Sequence, residues 1–437
     1  MTGGAARAAP ATTASPGADA PVTTFAGLGL PQDLVTALAR HDITTPFGIQ
    51  SATLPDSLAG RDVLGRAPTG SGKTVAFALP LVVRLAAAGR SRRGGRPGGL
   101  VLVPTRELAV QVERTVSFLA RAAGLRTMTI HGGVGYAGQL KRLASGVDVV
   151  IATPGRLEDL VAQGACSLAD VRVTVLDEAD LMADMGFLPP VRRLLDLTPR
   201  GQRLLFSATL DGDVDRLVAD YLHDPVTHVT GADAGEPEHV VFLVTLQNRA
   251  EVLAELVSGA GRSLVFARTK HGAARIAAQL AAAGVPAAEL HGDLGQGARQ
   301  RNLAAFSGGR VRVLVATDVA ARGIHVDDVA LVVHADPPAE AKSFLHRSGR
   351  TARAGAGGIV VTLCQRDQNR RVKALLAAAG ITPARREVVE PGSPLIDQVR
   401  GPWAPPPVPE PERHFAPKRR PAPRGTGPRR PSSRTGR

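Results

Sequence analysis

The chain has 437 residues, 44% of them hydrophobic, with 53 Lys and Arg against 39 Asp and Glu, a net charge of +14 and a pI near 10.9. That length predicts about two to three domains, and the basic excess points to a polyanionic partner, nucleic acid before membrane surface. A GC-rich coding bias accounts for Arg outnumbering Lys, but not for bases outnumbering acids; the two distant cysteines, Cys166 and Cys364, exclude a disulfide framework or a zinc site and fit a reducing compartment.

Residues 1–22 are rich in Ala, Thr, Gly and Pro and are expected to be disordered. They contain no apolar h-region, and no segment approaches the roughly 20 apolar residues of a membrane span, so a soluble, cytoplasmic protein without membrane contact is expected. From Phe25 to about Leu222, DVLGRA, GLVLVPT, RTMTI, DVVIAT, VTVLD and RLLFSAT read as strands, each followed by a helical pattern. The runs are continuously apolar, which marks parallel strands covered on both faces. His223–His239 is turn-rich and reads as a linker. A second alternating region, VVFLVTL, SLVFART, PAAEL, VRVLVATD, ALVVHAD and GIVVTL, runs to about Val389. The expected organisation is a segment 1–22, domains over 23–230 and 231–390, and a basic Pro/Arg-rich tail over 391–437. No short internal repeat is visible. In the tail Glu412 is followed by nine Lys or Arg and no acid, and Trp403 is its lone tryptophan.

Two motifs carry chemistry. APTGSGKT (67–74) lies between a strand and a helix, the context of a phosphate-binding loop. Its Thr69, Gly70, Ser71 and Gly72 present backbone N–H groups, Lys73 reaches the β- and γ-phosphates, and the Thr74 hydroxyl can bind Mg²⁺; Ala67 stands where the general pattern has Gly. VTVLDEAD (173–180) ends a strand on three carboxylates. An isolated acidic run usually just faces water, but beside a phosphate loop Asp177 becomes a magnesium ligand and Glu178 the group that polarises the attacking water. A nucleoside triphosphatase is expected.

With these stand PTRELA (104–109), GG (132–133), TPGR (153–156), SAT (207–209), HGD (291–293), ATDVAARG (316–323) and HRSGRTARAG (346–355). In this order, from Phe25 to about Val389, the sequence resembles the DEAD-box RNA helicases of bacterial type. The resemblance implies two tandem RecA-like α/β domains, each a mostly parallel sheet flanked by helices. It also implies ATP and Mg²⁺ as cofactors, RNA held through its backbone, ribosomal or RNA-decay proteins as partners, and a monomer. By resemblance Gln50 and Phe25 serve the adenine, Gly323 and His325 the nucleotide, and Arg350 and Arg353 the γ-phosphate. Pro104, Thr105, Arg106, Gly132, Gly133, Thr153, Pro154, Gly155, Arg156, Arg268, His291, Gly292, Asp293 and Thr317 would grip RNA. Ser207, Ala208, Thr209, Asp318 and His346 would couple the domains.

Three positions depart from the family pattern. Ala352 replaces a usual Gly, Phe47-Gly48 stands where Thr-Pro is usual, and His325 replaces an Asp that commonly touches the ribose. An RNA clamp with incidental hydrolysis, and a DNA helicase, are the competing classes. RNA-stimulated multiple turnover separates out the first, and RNA against DNA as ATPase activator separates out the second.

Overall fold

The computed structural model describes residues 24–68, 70–89, 93–210, 212–230, 237–321, 329–352 and 357–401. The first region builds a seven-stranded sheet from β1 (Val63–Arg66), β2 (Gly99–Leu102), β3 (Thr127–Ile130), β4 (Val149–Ala152), β5 (Val173–Asp177), β6 (Gln202–Ser207) and β7 (Val226–Val229). The second builds another from β8 (Glu238–Leu243), β9 (Arg262–Ala267), β10 (Ala287–Leu290), β11 (Val313–Thr317), β12 (Val329–His334), β13 (Ile359–Cys364) and β14 (Arg385–Val388).

Among the described residues the strand pairings are all parallel. The orders are β3-β4-β2-β5-β6-β1-β7 and β10-β11-β9-β12-β13-β8-β14. Adding seven to each strand number turns one sheet into the other, so the domains are topological copies although no repeat shows in the sequence. Continuous aliphatic runs follow from this placement. Every residue of β2, β4 and β5 is buried, because helices cover both faces. Alternate residues feed separate cores: Val173 and Val175 pack in one with Phe77 and Leu81, and Leu176 in the other with Leu194 and Leu205.

Two expectations are corrected. The segment read as a linker contains β7, which pairs with β1 at Val63↔Val226, and β8 already begins at Glu238. Burial along β7 alternates, as befits an edge strand, and its single turn-flanked PVTHV run lacks the aliphatic signal of the central strands. The tail expected from 391 begins with a helix, Pro394–Arg400, capped by Ser393 and burying Ile396 and Val399 in the second core. No helix among the described residues is long and apolar enough to cross a membrane.

Candidate functional site

In open parallel sheets ligands gather beyond the C-terminal ends of the strands, and the candidate residues of the first domain collect there. The loop after β1 turns back on Gly70 (φ +93°) and Gly72 (φ +85°) before the helix Lys73–Ala87. A Cβ on Gly72 would sit 2.4 Å from Gln50 Nε2 and 2.7 Å from the Phe47 ring, so only glycine fits. Ser71 Oγ donates to Pro68 O at 2.8 Å and closes the turn. Lys73 is buried and donates to Ala67 O at 3.2 Å.

Lys73 Nζ also lies 3.2 Å from Glu178 Oε1, which joins the phosphate loop to the end of β5. Glu178 takes a left-handed conformation (φ 54°), a strained state for a non-glycine residue that aims its side chain at the loop. Asp177, Glu178 and Asp180 are all buried, at 2%, 6% and 1% exposure. Burial, then the neighbouring Glu178 charge, pushes Asp177 up to about 7. Burial works against the Lys73 ammonium, but Glu178, Asp177 and Asp180 outweigh it and hold its pKa above the ordinary value. This is an anion-poor loop facing a cation-poor carboxylate cluster, a pairing suited to a phosphate chain carrying a divalent cation. Among the described residues no three His, Cys, Asp or Glu are grouped as a protein-only metal site. The donors present, Asp177 and the Thr74 hydroxyl, fit Mg²⁺, which takes few protein ligands and completes its shell with phosphate oxygens and water.

The second domain closes over this cluster. His346 Nε2, on the helix Ala341–Ser348, is 4.0 Å from Asp180 Oδ2. Burial lowers its pKa, and Asp180 opposes that. The same Asp180 oxygen accepts from Thr209 N and Oγ1 at 3.0 and 2.9 Å. Ser207 Oγ, next to Ala208, accepts from Asp180 N and donates to Thr209 O. Arg350 is lowered by burial and raised by the Glu178 charge, so its guanidinium faces the first domain's carboxylate. Asp318 is held by Arg347 Nε and Nη2 at 2.5 and 2.6 Å.

The remaining candidates line the same edge of both sheets. Thr105 caps the helix Arg106–Ala122 by accepting from Leu108 N. Pro104 precedes it. Arg106 packs beneath Gly132 and Gly133, where added Cβ atoms would meet its guanidinium at 2.9 and 2.5 Å. Thr153, Pro154 and Gly155 open the helix Pro154–Ala162, and Arg156 stacks 4.0 Å over Tyr136. In the second domain Arg268 follows β9, His291, Gly292 and Asp293 follow β10, and Thr317 ends β11. Asp293 pairs with Lys270, whose hydrogen bond lowers its pKa. Across the cleft Glu107 accepts from Arg299 Nε at 3.1 Å and from Gln296 Nε2 at 3.3 Å.

Phe25, expected to pack near the base, is 2% exposed and packed inside the first core. Phe47, 45% exposed, is the ring beside the phosphate loop. Gln50 reaches both, accepting from Phe47 N and donating to Gly72 O at 3.0 Å each. Ala352 does need a positive φ, at +55°. Sequence reading also missed Asp180 as the hub of the cluster, and the bridges Glu107–Arg299 and Asp184–Lys342. Acids near the end of β5 and bases at the matching edge of the second domain were the available signal. Thr69, Gly323, His325, Arg353, the segment 1–22 and Trp403 lie outside the described residues.

A family model for the DEAD/DEAH box helicases matches residues 47–217, and one for the helicase conserved C-terminal domain matches 248–355. The chain is 40% identical over 384 residues to DEAD-box ATP-dependent RNA helicase 3B, chloroplastic, of Zea mays, covering 84% of this chain and 51% of that one. S. cerevisiae Dbp5 bound to RNA and ADP BeF3 shares 26% identity and a TM-score of 0.76 over 86% of this chain and 98% of that one. A DEAD box protein from the hyperthermophile Methanococcus jannaschii is 30% identical, with a TM-score of 0.50, over 83% of this chain and 99% of that one. The chain spans about half the length of the first of the curated relatives it matches, and 60% of another.

Proposed function

The chain belongs to the DEAD-box helicase family, and from that premise we propose that it is an RNA-stimulated ATPase that locally separates RNA strands or remodels RNA–protein complexes. The observation that supports this best is the buried Lys73–Glu178 pair, 3.2 Å apart, met by Arg350 and His346 of the other domain. Half the catalytic groups arrive only when the cleft closes. In this reading Lys73 and the loop N–H groups hold the phosphates, and Glu178 orients water and accepts its proton. Arg350 stabilises charge on the γ-phosphate, with Arg353 assigned beside it by motif. Thr74 and Asp177 would hold Mg²⁺, which supplies Lewis-acid polarisation of the phosphates.

The RNA grip is assigned to the strand-end residues of both sheets, so ATP and RNA favour the same closed state and their affinities are reciprocally coupled. Phe47 and Gln50 are assigned to the base. We assign the ATP-binding domain to 23–230 and the second domain to 231–390, with the helix Pro394–Arg400 appended. The reading extends to a monomer of bacterial type in the cytoplasm, working with ribosomal or RNA-decay proteins. Its supports are the Arg-, Ala- and Gly-rich composition and the free cysteines Cys166 and Cys364.

Glu178→Gln tests it. Asp177 and Lys73 remain, and Lys73 loses a competitor for phosphate, so ATP binding is kept or tightened while turnover stops and the protein stays on RNA. Hydrolysis by the variant near the wild-type rate, or wild-type turnover indifferent to RNA, refutes the reading.

A further inference from the structure

We propose that a cleft at the opposite end of the first sheet is a second binding site for RNA phosphates. It encloses about 580 Å³. Its walls are the residues that open β2, β4, β5 and β6 and the last turn of the helix Lys73–Ala87. That helix has 15 residues and is about 22 Å long at 1.5 Å per residue. Lys73 stands at one end and this cleft at the other, so the two sites are separate.

Arginine dominates the cleft: Arg84, Arg93, Arg96, Arg172 and Arg200 line it against two acids, Asp148 and Asp170. Both acids are already engaged. Asp170 takes a bidentate hydrogen bond from Arg96 at 2.8 Å, and Asp148 accepts from the Arg126 backbone N–H at 2.8 Å. Arg93 and Arg200 stand exposed at the rim. The sequence concentrates the charge locally, with no acid anywhere between Asp62 and Glu107. Guanidinium forks match phosphate oxygens bidentately. Among the described residues no aromatic lines the cleft, so they offer no platform for stacked bases and favour backbone over sequence.

The inference rests on RNA being the polymer this chain handles. RNA leaving the cleft between the domains would have to pass around the first domain to reach these arginines, so long RNA engages both sites and a short oligonucleotide only the first. The test uses the full chain with Arg93→Gln/Arg200→Gln, and with Arg93→Glu/Arg200→Glu. Arg370→Glu/Arg371→Glu, two exposed arginines of the second domain, controls for net charge. Fluorescence anisotropy against salt is read on a long RNA and on a short oligoribonucleotide, and short-oligonucleotide-stimulated ATPase is read in parallel. The cleft variants should bind long RNA several-fold more weakly, with a log–log salt slope lower by about 1.4, two phosphates at about 0.7 each. Their short-oligonucleotide binding and ATPase should match wild type. A long-RNA slope equal to wild type, or a loss no greater than that of the control, overturns the second site. Failure of RNA to stimulate the wild-type ATPase would instead strike the functional reading, and the binding comparison would still stand by itself.

Discussion

Asp177→Asn should make the free protein more stable while destroying its activity. Asp177 is 2% exposed and titrates at about 7 rather than 3.8. Once fully ionised, such an acid costs the fold about 4 kcal/mol relative to a group that never ionises. Asparagine keeps the shape, and its Oδ1 can still accept from Glu178 N, which bonds Asp177 Oδ1 at 3.0 Å. Burying the new amide N–H₂ takes back about 1–3 kcal/mol. The net gain is about 2 kcal/mol, or about 4–8 °C in Tm for a domain of roughly 200 residues. The sign in pH follows from the raised value. The protonated acid is favoured in the fold, so the contribution of Asp177 to stability is fully present below about pH 4 and is lost as pH rises through 7, whereas the variant lacks this decline. Thermal melts in EDTA without nucleotide should therefore show a gap that widens between about pH 5 and 7.5 and then levels. A variant that melts at or below wild type at pH 8, or a gap that ignores pH, refutes the reasoning.

Glu107→Lys should weaken the coupling between ATP and RNA, since Glu107 and Arg299 bridge the domains at 3.1 Å; the swap Glu107→Lys/Arg299→Glu should recover part of it, by about 0.5–3 kcal/mol in a double-mutant cycle of ATP affinities with and without RNA. Removing residues 412–437 deletes nine basic residues and should flatten the salt dependence of RNA binding, at about 0.7 per lost phosphate contact, while leaving maximal turnover intact. His325→Asp should lower the apparent KM for ATP in the presence of RNA several-fold or more, because a charge-assisted bond to a ribose hydroxyl contributes about 1.5–3 kcal/mol. It should also remove the pH dependence of that KM around the histidine's ordinary pKa of about 6.5, read in ATPase assays across that range.

What the sequence revealed and what it hid follow from range. A phosphate loop is local: its glycines, Lys73 and the strand before it are neighbours in the chain, and its conformation follows from their own backbone needs. The central strands were equally plain, since full burial demands unbroken aliphatic runs such as VVIA and VTVLD. Two of the four edge strands were not, because β7 and β14 are half wet and carry His228, Arg385 and Arg386, whereas the other two edges, β3 and β10, show in RTMTI and PAAEL. Pairwise contacts across the cleft were invisible for another reason. Asp180 and His346 are 166 positions apart, and nothing in either segment says that they meet. Nor does the sequence around either phenylalanine say that Phe25 is buried in the core while Phe47 stands exposed beside the phosphate loop.

The duplicated topology gives a physical reason why this site needs two domains. Each sheet delivers its polar residues to the same edge, so two copies facing each other bring two such edges together. The first copy supplies three buried carboxylates and one lysine, a set too negative to hold phosphates well alone. The second supplies His346, whose charged form burial disfavours, and Arg350, a buried guanidinium that stays charged, so both are better accommodated once something anionic arrives. A phosphate chain with its cation balances both halves at once, whereas either half alone leaves buried charge uncompensated. On the function proposed above, closure is therefore favoured by nucleotide and resisted without it, and the residues assigned to RNA on the adjoining edge feel the same change. An ATPase built on one sheet could hydrolyse, but it would have no second body to move.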